Sequence, residues 1–256
     1  MAKAINKGVP EITLSAEDTG ASVENCNLIQ NGEIELGIAA SNIAYNSYAG
    51  KGSFEGRPNK DLKAITTLFP EAVHLVVLEN STIKTYEDLK GKKVSVYKPG
   101  SGTEVMARRI FKMYGMDIDK DMIAEHLDYS EANIGLKDKT LDAIFVWAGV
   151  PIPGIMEIAT VRRIRIIPLA EEILEELVKE SSYCSPTIIS KETYRGMTED
   201  IKTIAVPALL VCDGKLSEEL VYKMTKSLYE NIDVVRAMHV RAKNIQIKSA
   251  LDGVGI

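Results

Sequence analysis

The stretch Lys93-Val94-Ser95-Val96-Tyr97-Lys98-Pro99-Gly100-Ser101-Gly102-Thr103-Glu104-Val105 decides the fold class. Lys93 to Tyr97 reads as a strand, Pro99 to Gly102 as a glycine-rich turn, and the residues that follow as a helix with Met106, Ile110 and Phe111 on its apolar side. Strand, turn and helix in that order make one βα unit. Outward from it the same alternation recurs: Glu11 to Ala16, Leu36 to Ala40 and Ala143 to Trp147 read as further strands, with helical patterns between them. Leu216, Leu220, Val221, Met224, Leu228 and Ile232 share one helical face behind Ser217, an N-cap, and Ile173, Leu174, Leu177 and Val178 repeat the pattern within Glu171 to Lys179. The expectation is an α/β protein with mainly parallel sheets. There is no low-complexity tract and no short-period repeat.

A chain of 256 residues has the length at which one hydrophobic core stops growing and a second is commonly added. His74 to Leu78 and Ala205 to Cys212 are extended and apolar and are each followed by a polar turn, as strands that link two lobes would be. On that reading residues 1–81 plus 204–256 form a discontinuous lobe, and residues 82–203 form the other. The second lobe opens with a helix-like Tyr86 to Lys90, a stop at Gly91 and a strand over Lys92 to Tyr97. Two adjacent linking strands make a hinge.

Composition narrows the function classes. Hydrophobic residues at 45% and charged residues at 26% are those of a folded globular protein. A net charge of -5 disfavours nucleic acid as a partner, because phosphate binding needs a basic face. The basic cluster Arg162, Arg163 and Arg165 alternates with Ile164, Ile166 and Ile167 and reads as a strand with charge on its open face. Cys26, Cys184 and Cys212 lack metal or redox spacing and read as buried small hydrophobes. No apolar run reaches the roughly 18 residues of a membrane span. The start, Met1 to Asn6, lacks the pattern of a secretory signal, which leaves a cytosolic protein or a sequence whose true beginning lies upstream.

Three junctions between a strand and a helix combine small residues with hydroxyls. In Pro99 to Val105, glycines allow close backbone approach, Ser101 and Thr103 add hydroxyl donors, and the helix dipole favours an anion. Ser101 and Glu104 also fit a capping box, which needs no ligand. In Leu36 to Tyr45, Ser41 fits either an N-cap or a ligand donor, with Tyr45 one turn further in. In Phe145 to Pro153, Pro151 and Pro153 suit a helix's first turn, and Trp147 fits a packed core residue or a pocket wall. Catalytic patterns are missing: no nucleophile elbow, Walker A motif or full dinucleotide fingerprint is present. His74, His126 and His239 are isolated, and the carboxylates are scattered. The expectation is therefore not an enzyme, with no catalytic residue, no metal and no cofactor.

Val9-Pro10, Thr19-Gly20-Ala21-Ser22-Val23-Glu24-Asn25, Gly32 to Ile38, Glu71 to Val77, Asp88 to Val96, Pro99-Gly100-Ser101-Gly102-Thr103-Glu104 and Ala148-Gly149-Val150-Pro151 together, and in this order, resemble the TAXI family of solute receptors for tripartite ATP-independent periplasmic (TRAP) transporters. The resemblance covers nearly the whole chain. It implies a periplasmic-binding-protein-like (type II) fold of two lobes joined by hinge strands. Such a receptor is periplasmic or extracellular. It closes on a small carboxylate, a glutamate-like amino acid or a dicarboxylate, and delivers it to the membrane subunits of a TRAP permease without itself spanning the membrane.

The family's binding segments fall here on Ser41, Tyr45, Ser101, Gly102, Thr103, Glu104, Ala148, Gly149 and Pro151, and Trp147 beside them is expected to narrow the pocket or stack on the ligand. In that assignment Ser101 and Thr103 hold a carboxylate, Ser41 donates from the other lobe, Tyr45 walls the pocket, and Glu104 accepts from a ligand ammonium. Departures from the family pattern are Ala40 for a common glutamine, Asn42 for a common aspartate and Trp147 for a common threonine. Also absent are the usual first strand and its glycine/tyrosine-rich loop before the first helix, and the usual C-terminal tail. A ligand-sensing module and an enzyme on the same two-lobed fold are the rival readings.

Overall fold

The computed structural model describes residues 1–181 and 183–256. In chain order the main elements are α1 (Ala2–Gly8), α2 (Ser22–Asn31), β1 (Leu36–Ala40), α3 (Ser41–Ala49), β2 (Leu62–Leu78), β3 (Lys93–Ser95), α4 (Gly102–Met113), β4 (Ile123–Glu125), α5 (Tyr129–Lys137) and β5 (Ala143–Gly149). They continue with α6 (Pro153–Val161), β6 (Ile164–Ile166), α7 (Glu171–Glu180), β7 (Ser185–Ile189), β8 (Ile201–Asp213), α8 (Glu218–Glu230) and α9 (Ile232–Met238). The chain divides into two compact units, Met1–Pro70 with Val206–Ile256, and Glu71–Ala205. The long strands β2 and β8 run through both divisions.

In the first unit β1 pairs antiparallel with β8, Leu36 opposite Cys212 and Ala40 opposite Ala208. The core of this unit gathers Ala4, Ile5 and Val9 from α1 and its end, Ala208 and Leu210 from β8, and Met224 and Leu228 from α8. Ser217 caps α8 by accepting the N–H of Leu220, as the sequence pattern predicts. The helix stops at Glu230, however, and Ile232 opens the separate α9.

In the second unit β2 pairs antiparallel with β5 from Glu71 opposite Gly149 to Val77 opposite Ala143. Strand β3 pairs parallel with β4 and with β5. Strand β6 pairs antiparallel with β2, and β7 with β8. Of these six pairings two are parallel and four antiparallel, against the expectation of mainly parallel sheets. Long segments that leave a unit and come back must run in opposite directions, which brings antiparallel pairs into an α/β fold. The predicted helical faces hold: Met106, Ile110 and Phe111 of α4 and Ile173, Leu174 and Leu177 of α7 are all buried.

Three local expectations change. Glu11 to Ala16 forms no strand; instead the Asn6 side-chain amide donates to the Leu14 carbonyl at 2.9 Å and accepts the Leu14 N–H at 2.8 Å, doing for one residue what a neighbouring strand would do. The strand begun at Lys93 ends at Ser95 rather than Tyr97, because Tyr97 lies in the left-handed region with φ 68°. Arg165 on β6 does not simply face solvent: its guanidinium donates to the carbonyls of Glu79, Ser81 and Ile83 and pins the turn after β2.

All three cysteines are free and buried, and burial pushes the Cys26 thiol up to about 12. His74, in the second half of β2, is fully buried. Its Nδ1–H donates to the Ala72 carbonyl at 3.0 Å, which leaves Nε2 to accept from the Tyr194 hydroxyl at 3.2 Å; that hydroxyl in turn accepts the Ile152 N–H at 3.0 Å. Loss of solvent holds the imidazole neutral and lowers its pKa to about 4 from an ordinary 6.5. Between those values the unfolded chain binds a proton that the folded chain does not, so stability is intact above the unfolded value and falls as pH drops toward the folded one. Denaturant titrations should show a loss of about 2 kcal/mol between pH 6.5 and pH 5 from this residue alone. A His74→Asn variant should lose that component of the pH dependence whatever its stability at neutral pH.

Candidate functional site

Ser41, Ser101, Gly102, Thr103 and Glu104 sit at helix beginnings, where the first N–H groups of a helix have no partner within it, while Trp147, Ala148 and Gly149 end a strand. What separates these ends is how many of those groups other residues of the chain already satisfy.

In the first unit, β1 passes into α3 without a turn. Ala40 is the N-cap, with φ -61° and ψ 139°, and no side chain caps the end. Ser41 is thus the first helical residue rather than the cap. Only 2% exposed, its Oγ has no hydrogen-bond partner, and the Oδ1 of the next residue, Asn42, is likewise buried and unpaired. Tyr45 follows one turn on, with the Lys51 ammonium 5.6 Å from its ring centroid. Ser22, which opens α2, accepts the Ala40 N–H at 3.1 Å, and Asn25 of the same helix donates to the Ile38 carbonyl at 2.8 Å. These two bonds tie the start of α2 to the strand that aims α3. Gly37 permits the approach, since a Cβ there would lie 3.1 Å from Asn25 Cβ.

In the second unit the beginning of α4 is closed by its own residues. Ser101 is the N-cap and accepts the Glu104 N–H at 3.1 Å, while Glu104 accepts the Gly100 N–H at 2.7 Å. The other oxygen of Glu104 accepts from Arg108 Nε at 2.9 Å, and Arg108 also pairs with Asp119 at 2.6 Å. The hydrogen bonds that Arg108 donates to Asp119, and after them the one to Glu104, raise the guanidinium pKa, so the positive charge beside Glu104 is permanent. Ser101 and Glu104 are both buried. Thr103 points its hydroxyl at Tyr129 Oη, 2.8 Å away, and that phenol also donates to the Trp147 carbonyl at 3.4 Å. Burial raises the Tyr129 pKa, so the phenol stays protonated.

Thr103 and the β5 end are therefore brought together through Tyr129. Trp147 is 4% exposed and donates its indole N–H to the Glu71 carbonyl at 2.9 Å. Ala148 and Gly149 continue β5 to its last residue, and Pro151 follows in the turn before α6. At α6 the first helical residue is Pro153, which has no N–H, and the Ile152 N–H goes to Tyr194. Two aromatic residues outside the predicted set belong to this region: Tyr97 stacks on Tyr129 with centroids 4.3 Å apart, and His126 Nδ1 lies 3.0 Å from the Tyr97 carbonyl. The missed signal was the pairing of Tyr97 with the first residue of a helix 32 positions later, which no spacing rule announces. Two hollows of about 490 and 510 Å³, one in each unit, contain none of the candidate residues. Among the described residues no group of three or more His, Cys, Asp or Glu side chains could hold a metal ion.

The profile of the NMT1-like family matches residues 1–256, the whole of the sequence. The chain belongs to the NMT1-like family. Among solved structures, the alkanesulfonate-binding protein SsuA from Xanthomonas axonopodis pv. citri, bound to MOPS, superposes with a TM-score of 0.57 at 15% identity, over 94% of this chain and 70% of that one. The periplasmic aliphatic sulphonate binding protein SsuA from Escherichia coli gives 0.52 at 18% identity, over 98% of this chain and 76% of the other. This NMT1-like protein thus has the mixed α/β, two-lobed periplasmic-binding-protein fold with an open sheet. No helix of the described residues is long and apolar enough to cross a membrane.

Two serines that look alike in the NMT1-like sequence should behave oppositely. Ser101→Ala removes an N-cap acceptor and should cost about 1 kcal/mol in urea denaturation. Ser41→Ala removes a buried hydroxyl without a partner and should leave the ligand-free protein as stable or raise its stability by up to about 1 kcal/mol.

Proposed function

We propose that this protein is an extracytoplasmic solute-binding receptor that captures a small carboxylate and delivers it to membrane permease subunits, without catalysis. The observation that carries the reading is Ser41: a buried hydroxyl with no partner, at the start of a nine-residue helix that no side chain caps. Buried polar groups are nearly always paired, so an orphan beside open N–H donors and the positive end of a helix dipole marks a place for an anion. Family membership and the solute-binding fold support the same reading.

The finer identity rests on the resemblance to TAXI receptors. It names the permease as a TRAP permease, the compartment as the periplasm, and hinged closure on the ligand as the event the permease recognises. Closure requires that the ligand bind one conformation better than the other.

A thermal-shift panel of dicarboxylates, hydroxy acids, amino acids and alkanesulfonates is the direct test. A true ligand present at about 100 times its Kd should stabilise the native protein by about 2.7 kcal/mol. Carboxylates should shift the melting temperature without being consumed. Silence across the panel overturns the receptor reading, and product formation from any bound compound turns it into an enzyme.

A further inference from the structure

We infer that the first unit carries a docking edge for a partner protein, at which an extended segment bearing lysine or arginine adds a strand to β1. This does not rest on the receptor reading. Strand β1 pairs with β8 and with no other strand among the described residues. At the head of that ladder the Asp213 N–H donates to the Glu35 carbonyl at 3.0 Å. By the alternation of an antiparallel pair, Gly37 and Ala39 also turn their backbone groups toward β8, while Leu36, Ile38 and Ala40 turn theirs outward. Side chains of α2 close one end of this outer edge: Ser22 accepts the Ala40 N–H, and Asn25 donates to the Ile38 carbonyl. The Leu36 N–H, the Leu36 carbonyl and the Ile38 N–H have no partner among the described residues. Donor, acceptor and donor in a row are what an added strand matches. Leu36 to Ala40 also lacks the lysine, proline or inward charge that commonly protects an edge.

The hollow of about 490 Å³ in this unit lies at the open end. Leu36, Gly37 and Ile38 line it together with residues 14–19, and no hydrogen bond joins that segment to β1. Its lining joins apolar side chains, Leu14 among them, to four exposed carboxylates, Glu17, Asp18, Glu33 and Glu35. No lysine, arginine or histidine lines it, and among the described residues none of the four carboxylates is in an ion pair. Successive side chains of a strand point to opposite faces, so a segment alternating apolar with basic residues meets both parts of this lining. A second copy of the same edge would set carboxylates against carboxylates, which is unfavourable. The occupant is therefore a different, basic chain.

Fluorescence anisotropy on the full chain tests this with a short peptide that alternates lysine and isoleucine and is blocked at both ends. It should bind, and its glutamate-for-lysine counterpart should not. Amide hydrogen exchange should slow on binding at Leu36 and Ile38 and stay unchanged at Gly37 and Ala39, which already face β8. Leu36→Pro removes one outward N–H at a position where an edge strand tolerates proline, and should weaken binding roughly fivefold. If that variant does not fold, Glu17→Gln and Asp18→Asn on the exposed segment should each weaken the lysine peptide about two- to fivefold at low salt. No binding of the lysine peptide, equal binding of the glutamate peptide, or binding without slowed exchange at Leu36 and Ile38 would overturn the inference. So would self-association of the protein through β1 in the absence of peptide.

Discussion

The N–H groups at the start of a helix must find acceptors, and how each helix of this protein meets that demand organises the rest of the molecule. Helix α4 satisfies it internally through Ser101 and Glu104, and Arg108 then neutralises the charge thus introduced. Helix α6 meets it with a proline that has no N–H to satisfy. Helix α3 does neither, because the residue in its N-cap position, Ala40, has no side-chain acceptor. The cost of leaving that end without a side-chain acceptor, with the unpaired Ser41 hydroxyl buried behind it, falls on the folded protein.

Packing keeps that end in place. The Ser22 hydroxyl accepts the Ala40 N–H and the Asn25 amide holds the Ile38 carbonyl, so α2 grips the strand whose direction sets the axis of α3. In the second unit, β2 and β5 share a seven-residue register, and the fully buried His74 is joined to Tyr194 and, through it, to the turn that precedes α6. Polar groups in the core of that unit are thus linked to backbone near the candidate segment Ala148 to Pro151. Such fully satisfied buried networks fix one arrangement and resist slippage.

Much of this was legible in the residues. Leu36 to Ala40 and Ala143 to Trp147 carry apolar runs that only a buried strand explains, and both are strands. The faces of α4, α7 and α8 follow from helical spacing, which depends on local sequence alone. The departures arise where a distant residue overrides the local pattern. Glu11 to Ala16 has strand-like residues, but its partner is the single side chain of Asn6. Parallel and antiparallel neighbours cannot be told apart from apolar runs, since direction is set by how the chain returns. At the candidate junctions, spacing could not say which hydroxyls were already engaged. Ser101 and Ser41 follow strands in similar contexts; that one is a cap and the other an orphan depends on Ala40 and Glu104, read together with coordinates.

Tyr97 has a further consequence. A side chain bearing a Cβ in the left-handed region costs about 1 to 2 kcal/mol that glycine would avoid. Here that conformation turns the chain out of β3 and lays the ring against Tyr129. The backbone therefore sets the direction in which the Tyr97 side chain leaves the chain toward Tyr129. Drift toward glycine at this position would relax the chain and erase the stacked pair in one step, so natural variation there should be confined to residues that tolerate the twist while keeping a ring.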